Sequence, residues 1–156
     1  MLVESTTSTA LNSLRAETMV EFARLSADPI TLEACSSAVS SDDSGAVVTF
    51  AGIVRDHDGG RTVTLLEYEA HPSAESVLRS VAESVAADFP GVRIAIEHRT
   101  GSLEVGDLAL ACAVASAHRA DAFAACSRLV DDVKHQVPIW KEQHFADGST
   151  EWVGSL

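Results

Sequence analysis

Apolar and polar positions alternate along the chain with two periods, and together they predict a mixed order of strands and helices. Residues 46–55 form a nearly continuous run of apolar and β-branched residues closed by an arginine, which is typical of a buried strand. A second strand is predicted at residues 62–70, after a turn at 56–60 in which Gly59 and Gly60 can supply positive φ angles. We therefore expect these two strands to pair as a hairpin.

Helical periodicity is found in three further segments. Thr31 is a suitable N-cap for a helix at residues 32–39, and an apolar stripe predicts another helix at residues 74–89. A third helix is expected at residues 120–134, because Pro138 prevents its continuation. This helix should turn the following residues inward: Phe123, Cys126, Val130 and Val133.

The remaining patterns complete a single mixed fold. Strict alternation predicts a half-buried strand at residues 92–99, an ordered loop follows at 100–107, and residues 108–116 form the most buried strand. Residues 137–140 should run extended. The order α-β-β-α-β-β-α indicates an α+β sandwich with a mostly antiparallel sheet and packed helices.

The N-terminal residues have a different character. Residues 1–26 begin with a Ser/Thr-rich stretch and continue with apolar residues at roughly helical spacing. We expect a partly disordered N-terminal extension that carries a short helix outside the main fold. Residues 27–156 then form one domain.

Composition narrows the classes of function. The chain has 156 residues, 46% of them hydrophobic, and a net charge of −12, which argues against a nucleic-acid partner. No stretch is apolar enough for a membrane span, and Glu4 precedes any cation, unlike a signal peptide. We expect a cytoplasmic protein with no membrane partner.

Cysteine and histidine spacings predict no metal centre. Cys35, Cys112 and Cys126 include no C-x-x-C pair, so we expect buried, reduced thiols. The six histidines show no H-E-x-x-H spacing, and no glycine-rich phosphate loop is present in the sequence.

The lysines are the most unusual feature of the chain. Lys134 and Lys141 are its only lysines, and a lysine suits proton transfer, nucleophilic attack or anion capture because its pKa falls on burial. The alternative is that both face solvent and that the scarcity reflects an arginine-rich composition. Arg55, His118 and Arg119 also follow or flank predicted elements, so the five cations together favour an enzyme or a binding module for a small anion.

Several motifs resemble the large (catalytic) subunit of molybdopterin synthase, the MoaE-like family, in its order and with its spacings. The matching stretches are residues 45–55, 66–70, 98–106, 116–123, 134–141 and 147–152. The resemblance implies an α/β-hammerhead fold and a sulfurtransferase that converts cyclic pyranopterin monophosphate into the dithiolene of molybdopterin. It implies a small ubiquitin-like sulfur-carrier subunit, ending in a Gly-Gly thiocarboxylate, as the sulfur donor. Two large subunits would form a homodimer within a heterotetramer, with no metal or nucleotide cofactor.

The resemblance also implies a set of site residues. The positions that match the family's substrate pocket are Ile53, Val54, Arg55, His118, Arg119, Lys134, Lys141, Glu142 and Gln143. Among them Lys134 and Lys141 match the catalytic lysines, with Lys134 nearest the glycine carbonyl and Lys141 in support. Many relatives carry a cation and then a glutamate after the second lysine, so ligand contact through the side chains of Glu142 and Gln143 is in doubt.

Three other functions are compatible with the same residues. A non-catalytic module could hold a small anion with these cations, and a scaffolding subunit could bind the carrier without the pterin. Within an enzyme, Lys134 could instead form a Schiff base with its substrate.

Overall fold

A computed structural model describes residues 9–11 and 19–154. The strands within these residues are, in chain order, β1 Val20–Ser26, β2 Ala46–Ile53, β3 His57–Asp58, β4 Arg61–Ala70, β5 Arg93–Arg99, β6 Gly101–Glu104, β7 Leu108–Ser116, β8 Ile139–Phe145 and β9 Thr150–Val153. The helices that frame them are α1 Leu32–Val39, α2 Ala74–Asp88 and α3 Arg119–Gln136. Within the described residues, no helix has the length and apolar character that a membrane span needs.

The strands form two sheets, which confirms the predicted α+β class. The first sheet has the order β1-β5-β7-β2, and the second has the order β3-β4-β8-β9 with β6 also paired to β4. Only the β1–β5 ladder is parallel among the pairings of the described residues. The fold is therefore a mostly antiparallel sandwich with helices packed on it.

The first sheet is covered on both faces. Side chains alternate along each strand, so Ile94 and Val114 join the larger core with α2 and α3, while Ala95 and Ala113 lie in a smaller core under α1. All four side chains are fully buried. The half-buried strand predicted at residues 92–99 is therefore buried on both faces, because α1 covers the face that was expected to meet solvent.

The predicted hairpin is wrong. β2 pairs with β7, and β4 pairs with β6 and β8. The chain leaves the first sheet at Val54, whose backbone N–H donates to the Asp107 carbonyl (3.0 Å) and whose carbonyl accepts from Gly106 N–H (2.9 Å). The glycine turn was placed correctly, with φ values of 56° and 77° at Gly59 and Gly60, but it joins β4 to the two-residue β3.

The N-terminal prediction needs a correction. Residues 20–26 form β1, which pairs in parallel with β5, so this part of the chain belongs to the first sheet and not to a helix outside the fold. Val20 and Ala23 are buried there. Residues 9–11 are helical, and the rest of the predicted extension lies outside the described residues.

Local helix signals were more accurate. Thr31 Oγ1 accepts a hydrogen bond from Ala34 N (3.2 Å), as an N-cap should. α3 ends at Gln136, two residues before Pro138. Phe123 was predicted to face inward, but it is 61% exposed because it lies on the outer side of α3. The three cysteines are buried free thiols, as predicted.

Candidate active site

The two sheets meet at a cleft of about 450 Å³ that gathers three of the predicted cations. Arg55, Lys134 and Lys141 all line this cleft, and Ile53 lies beside them at 56% exposure. The uncharged part of the lining includes Phe50, Tyr68, His98 and Leu110. A pocket with three cations and aromatic walls is suited to a small anion that carries a planar ring.

Each cation is placed by the end of an element or by strand pairing. Arg55 follows β2 by two residues, and Lys134 lies in the last turn of α3, where the helix dipole favours a positive charge. The chain turns at Pro138 and returns as β8, which places Lys141 opposite Tyr68 of β4. Three separate parts of the chain thus bring positive charge to one cleft.

The environment of Lys141 perturbs its titration. Burial lowers the pKa of Lys141, and the positive charges of Arg55 and Lys134 act in the same direction, while the Asp58 carboxylate opposes them. Lys134 Nζ lies 6.0 Å from the ring centroid of Phe50, at the outer limit of a cation–π contact. These contacts place both ammonium groups against protein surface, where charge interactions are stronger than in bulk water.

The other predicted positions on β8 behave differently from Lys141. Gln143 is 2% exposed, and its Nε2 donates to Asp58 Oδ2 at 2.8 Å. It lines a smaller cavity of about 50 Å³ that also touches Val54, Arg55 and Lys141. Glu142 lies on the opposite face of β8, because side chains alternate along a strand, and the structure does not bring it to the cleft.

His118 and Arg119 do not reach the cleft of their own chain. Both are exposed at the start of α3, whereas Lys134 lies at its end. The 15-residue separation of Arg119 and Lys134 corresponds to about 22 Å of helix axis. Strand β7 gives a similar separation. Leu110 lines the cleft near the start of this strand, and Ser116, which lies just before His118 in the chain, is at its far end.

Two residues that line the cleft, Tyr68 and His98, were not among the predicted site residues. His98 is 1% exposed, and its Nδ1–H donates to the Arg99 carbonyl (2.7 Å), which leaves Nε2 as the acceptor of the ring. Burial lowers the pKa of His98, with the charge of Lys134 acting in the same direction, so the imidazole is neutral at pH 7. Its ring meets Tyr68 edge-on at 5.1 Å between centroids. A buried polar residue inside an alternating strand was the available signal.

A separate polar cluster lies on the other face of β8. Glu67, Glu142 and His144 bring their ligand atoms within 4.8 Å of one another. The His144 Nε2 atom is 3.6 Å from Glu67 Oε2 and 4.0 Å from Glu142 Oε2, the geometry of weak ion pairs when the ring is protonated. Because this face points away from Lys141, the cluster does not take part in the cleft.

Comparisons with known proteins agree with one another. The family model described as "MoaE protein" matches residues 25–136. The chain is 40% identical over 127 residues to the molybdopterin synthase catalytic subunit of Nostoc sp., covering 80% of this chain and 77% of that protein. It is 39% identical over 140 residues to molybdopterin synthase catalytic subunit 1 of Mycobacterium tuberculosis, covering 89% and 95%. The crystal structure of molybdopterin synthase from Staphylococcus aureus superposes with a TM-score of 0.80 at 36% identity, covering 86% of this chain and 97% of that one.

Proposed function

This chain belongs to the MoaE family of molybdopterin synthase catalytic subunits, and we propose that it transfers sulfur to a pterin precursor. The donor is the thiocarboxylate at the C-terminal Gly-Gly of a small ubiquitin-like carrier subunit. The acceptor is cyclic pyranopterin monophosphate, which receives two sulfurs and becomes the dithiolene of molybdopterin. The carrier's glycine is left as an ordinary carboxylate after each transfer.

The convergence of Arg55, Lys134 and Lys141 in one cleft is the observation that supports this proposal most directly. The chain holds only two lysines, and both line the same cleft. This placement favours a functional explanation over the alternative in which both lysines simply face solvent. Thiocarboxylate, phosphate and the developing oxyanion are all negative, so one group of fixed cations can bind each of them.

We assign a role to each cation from its position. Arg55 presents a guanidinium at the rim, suited to the cyclic phosphate. Lys134, at the end of α3, acts on the glycine carbonyl as acid/base or oxyanion partner, and Lys141 supports it from β8. In each transfer the thiocarboxylate sulfur forms a bond to a side-chain carbon of the pterin precursor, and that carbon loses a carbon–oxygen bond, with the oxygen leaving as water or remaining on the phosphate. Water then adds to the glycine carbonyl and the glycine carbon–sulfur bond breaks, which leaves the sulfur on the pterin and a carboxylate on the carrier. The negative charge on the tetrahedral carbon is what the ammonium groups stabilise.

We further propose that a second copy of the chain completes the site. β2 is an edge strand of the first sheet as described, with Val47 and Ile53 exposed at 45% and 56%. Antiparallel pairing of two β2 strands across a two-fold axis sets Ala46 of one copy beside Ile53 of the other. Because Ala46 pairs with Ser116 in its own chain, this arrangement carries the following His118 and Arg119 toward the neighbouring cleft.

The carriers then occupy the outer ends of the assembly. A strand of eight residues spans about 23 Å, which matches the roughly 22 Å by which His118 and Arg119 miss their own cleft. A homodimer at the centre leaves each cleft open to one carrier tail, so the complete enzyme is a heterotetramer. In this arrangement all five predicted cations act on one substrate.

Reconstitution of the reaction tests the proposal. The purified chain is mixed with cyclic pyranopterin monophosphate and thiocarboxylated carrier, and the dithiolene is followed as its oxidised fluorescent derivative. Lys134→Ala should lower the rate at least about 100-fold, because it removes the group that stabilises the transition state. Arg79→Ala, which removes an exposed cation on α2, is the matched control and should retain the parent rate.

Two outcomes would contradict the proposal. The first is a Lys134→Ala variant that turns over like the parent. The second is a parent chain that binds both the charged carrier and the pterin but forms no dithiolene, which would identify a non-catalytic binding module. Borohydride trapping of substrate on Lys134 would replace the acid/base role with a Schiff base.

A further inference from the structure

Asp58 lies beside Arg55 next to the cleft, and none of the sequence patterns singled it out. Its Oδ2 accepts a hydrogen bond from Gln143 Nε2 at 2.8 Å, and its Oδ1 lies 3.6 Å from Arg55 Nη2. The two contacts use the two carboxylate oxygens separately. The carboxylate is thus held from two directions at once.

Gln143 is the rigid part of this arrangement. It is 2% exposed in the middle of β8, so its amide needs a hydrogen-bond partner inside the protein, and Asp58 is that partner. Residues 141 and 143 of a strand point to the same face, so Asp58 is tied to the side of β8 that carries Lys141. Arg55, Lys141 and Gln143 also line the same small cavity.

We propose that Asp58, anchored by Gln143, is a positioning residue of the active site that holds Arg55 for the anionic substrate and stabilises the positive charge of Lys141. This inference rests on the proposed function and assigns a further residue to it. Asp58 does not touch the reacting atoms in this account. It acts through the two cations, and Gln143 acts through Asp58.

The electrostatics of the cleft explain why a carboxylate is needed there. Arg55, Lys134 and Lys141 carry like charges that repel one another, and Lys141 also loses hydration because it is partly buried. One fixed anion relieves this repulsion and opposes the lowering of the Lys141 pKa. The titratable and charged groups that surround Lys141 are Arg55, His57, Asp58, Tyr68, His98 and Lys134. Within that set, the described structure offers one carboxylate.

The titration of Asp58 agrees with the same arrangement. The hydrogen bond from Gln143 holds the pKa of the Asp58 carboxyl below its ordinary value, and the charges of Lys141 and Arg55 add to this effect. Asp58 therefore stays ionised through the neutral range. The reciprocal effect on Lys141 is the quantity that an experiment can follow.

The chain's two lysines make that experiment direct. Lysine labelled with ¹³C at the ε-carbon gives signals from only Lys134 and Lys141, and both can be titrated by NMR in the free protein. Asp58→Asn preserves the size and the acceptor oxygen but removes the charge. We expect the pKa of Lys141 to fall in this variant, while Asp56→Asn, the same change two residues earlier in an exposed carboxylate, leaves it unchanged.

Turnover gives the second measurement. Asp58→Asn should lower kcat/KM about tenfold and shift the alkaline limb of its pH profile to lower pH, because Lys141 loses its proton earlier. A purely structural residue would change the rate without moving the limb. Melting temperatures of all variants show whether the fold is retained.

An exchange of the two partners provides the decisive variant. Asp58→Asn with Gln143→Glu swaps the amide and the carboxylate, and so keeps both the hydrogen bond and the negative charge. We expect this double variant to regain the Lys141 titration and most of the lost kcat/KM, including the position of the alkaline limb. The double variant also tests the role of Asp58 if Asp58→Asn alone is poorly folded.

The proposal is overturned if Asp58→Asn leaves both the Lys141 titration and the pH profile unchanged, or if the double variant behaves like Asp58→Asn alone. The lysine titration requires no turnover. If the parent chain forms no dithiolene, the proposed function fails, while the coupling of Asp58 to Lys141 is still measured. The two failures are therefore distinguishable.

Discussion

Lys141 is partly buried in the cleft, where its ammonium group loses hydration that an exposed lysine keeps. Burial lowers its pKa, Asp58 opposes the shift, and Arg55 and Lys134 reinforce it. A lysine is charged below its pKa, so a lowered pKa brings the loss of charge closer to neutral pH. The activity should therefore decline on the alkaline side earlier than an ordinary lysine would allow.

Lys141→Arg tests whether loss of the charge at residue 141 causes the alkaline decline in activity. A guanidinium keeps its charge at any pH that the protein survives, so the alkaline limb of kcat/KM should move to higher pH, even if the rate at neutral pH falls. The measurement is the pH profile of dithiolene formation, with Arg79→Lys as the surface control. A limb that stays in place would show that Lys141 does not set it.

Single residues could be predicted where their chemistry is exceptional in the sequence. Lys134 and Lys141 stand out because the chain has no other lysines, and the structure places both in the cleft. His98 and Asp58 could not be recognised in this way. A histidine inside an alternating strand reads as a core residue, and Asp58 lies in a polar turn that would look the same if it faced solvent.

At the scale of elements, β7 is an inner strand of the first sheet, between β5 and β2. Helix α1 packs against its alanines, and Ala111, Ala113 and Ala115 are fully buried. Small side chains there let the helix approach closely, because a larger residue would need space that a close-packed interior lacks. The same strand begins at the cleft, so its packing also supports the site.

Ala113→Leu should therefore destabilise the protein by about 1–3 kcal/mol through overpacking beneath α1. Ala124→Leu places the same side chain on the exposed surface of α3 and should change stability by less than about 0.5 kcal/mol. Equilibrium unfolding in urea measures both. Equal effects in the two variants would mean that the contact between α1 and β7 is not closely packed.

Element types followed from local patterns, but their pairing did not. The helices began and ended near their predicted bounds because caps, apolar stripes and Pro138 act within a few residues. The partner of a strand depends on residues far along the chain: β2 pairs with β7, about sixty positions away, and β1 pairs with β5. No local spacing contains that information, so the predicted hairpin is wrong and the helix predicted before residue 27 is in fact strand β1 over residues 20–26.

At the scale of the whole molecule, the predicted site residues are divided between the two ends of α3. Lys134 lies in the cleft, whereas His118 and Arg119 lie about 22 Å away in the same chain. If all the predicted site residues act on one substrate, as we propose, a second copy has to bring His118 and Arg119 to the cleft. The dimer that we propose is therefore a requirement for activity and not only a mode of assembly.

Subunit complementation tests this requirement. Lys134→Ala and the double variant His118→Ala with Arg119→Ala should each be inactive alone. Mixed after dissociation, they form hybrid dimers in which one cleft has an intact set of cations, so about a quarter of the parent activity should return by random pairing. A mixture as inactive as its components would indicate that each chain uses its own His118 and Arg119, or neither.

In the proposed reaction, the cleft transfers sulfur from the carrier to the pterin. A single-turnover reaction that follows both substrates tests this step, with the carrier's mass reporting the exchange of sulfur for oxygen and fluorescence reporting the dithiolene. We expect two thiocarboxylates to be consumed for each dithiolene formed, and Lys134→Ala to slow both signals together. Loss of carrier sulfur without dithiolene, or dithiolene formed at the parent rate by Lys134→Ala, would contradict it.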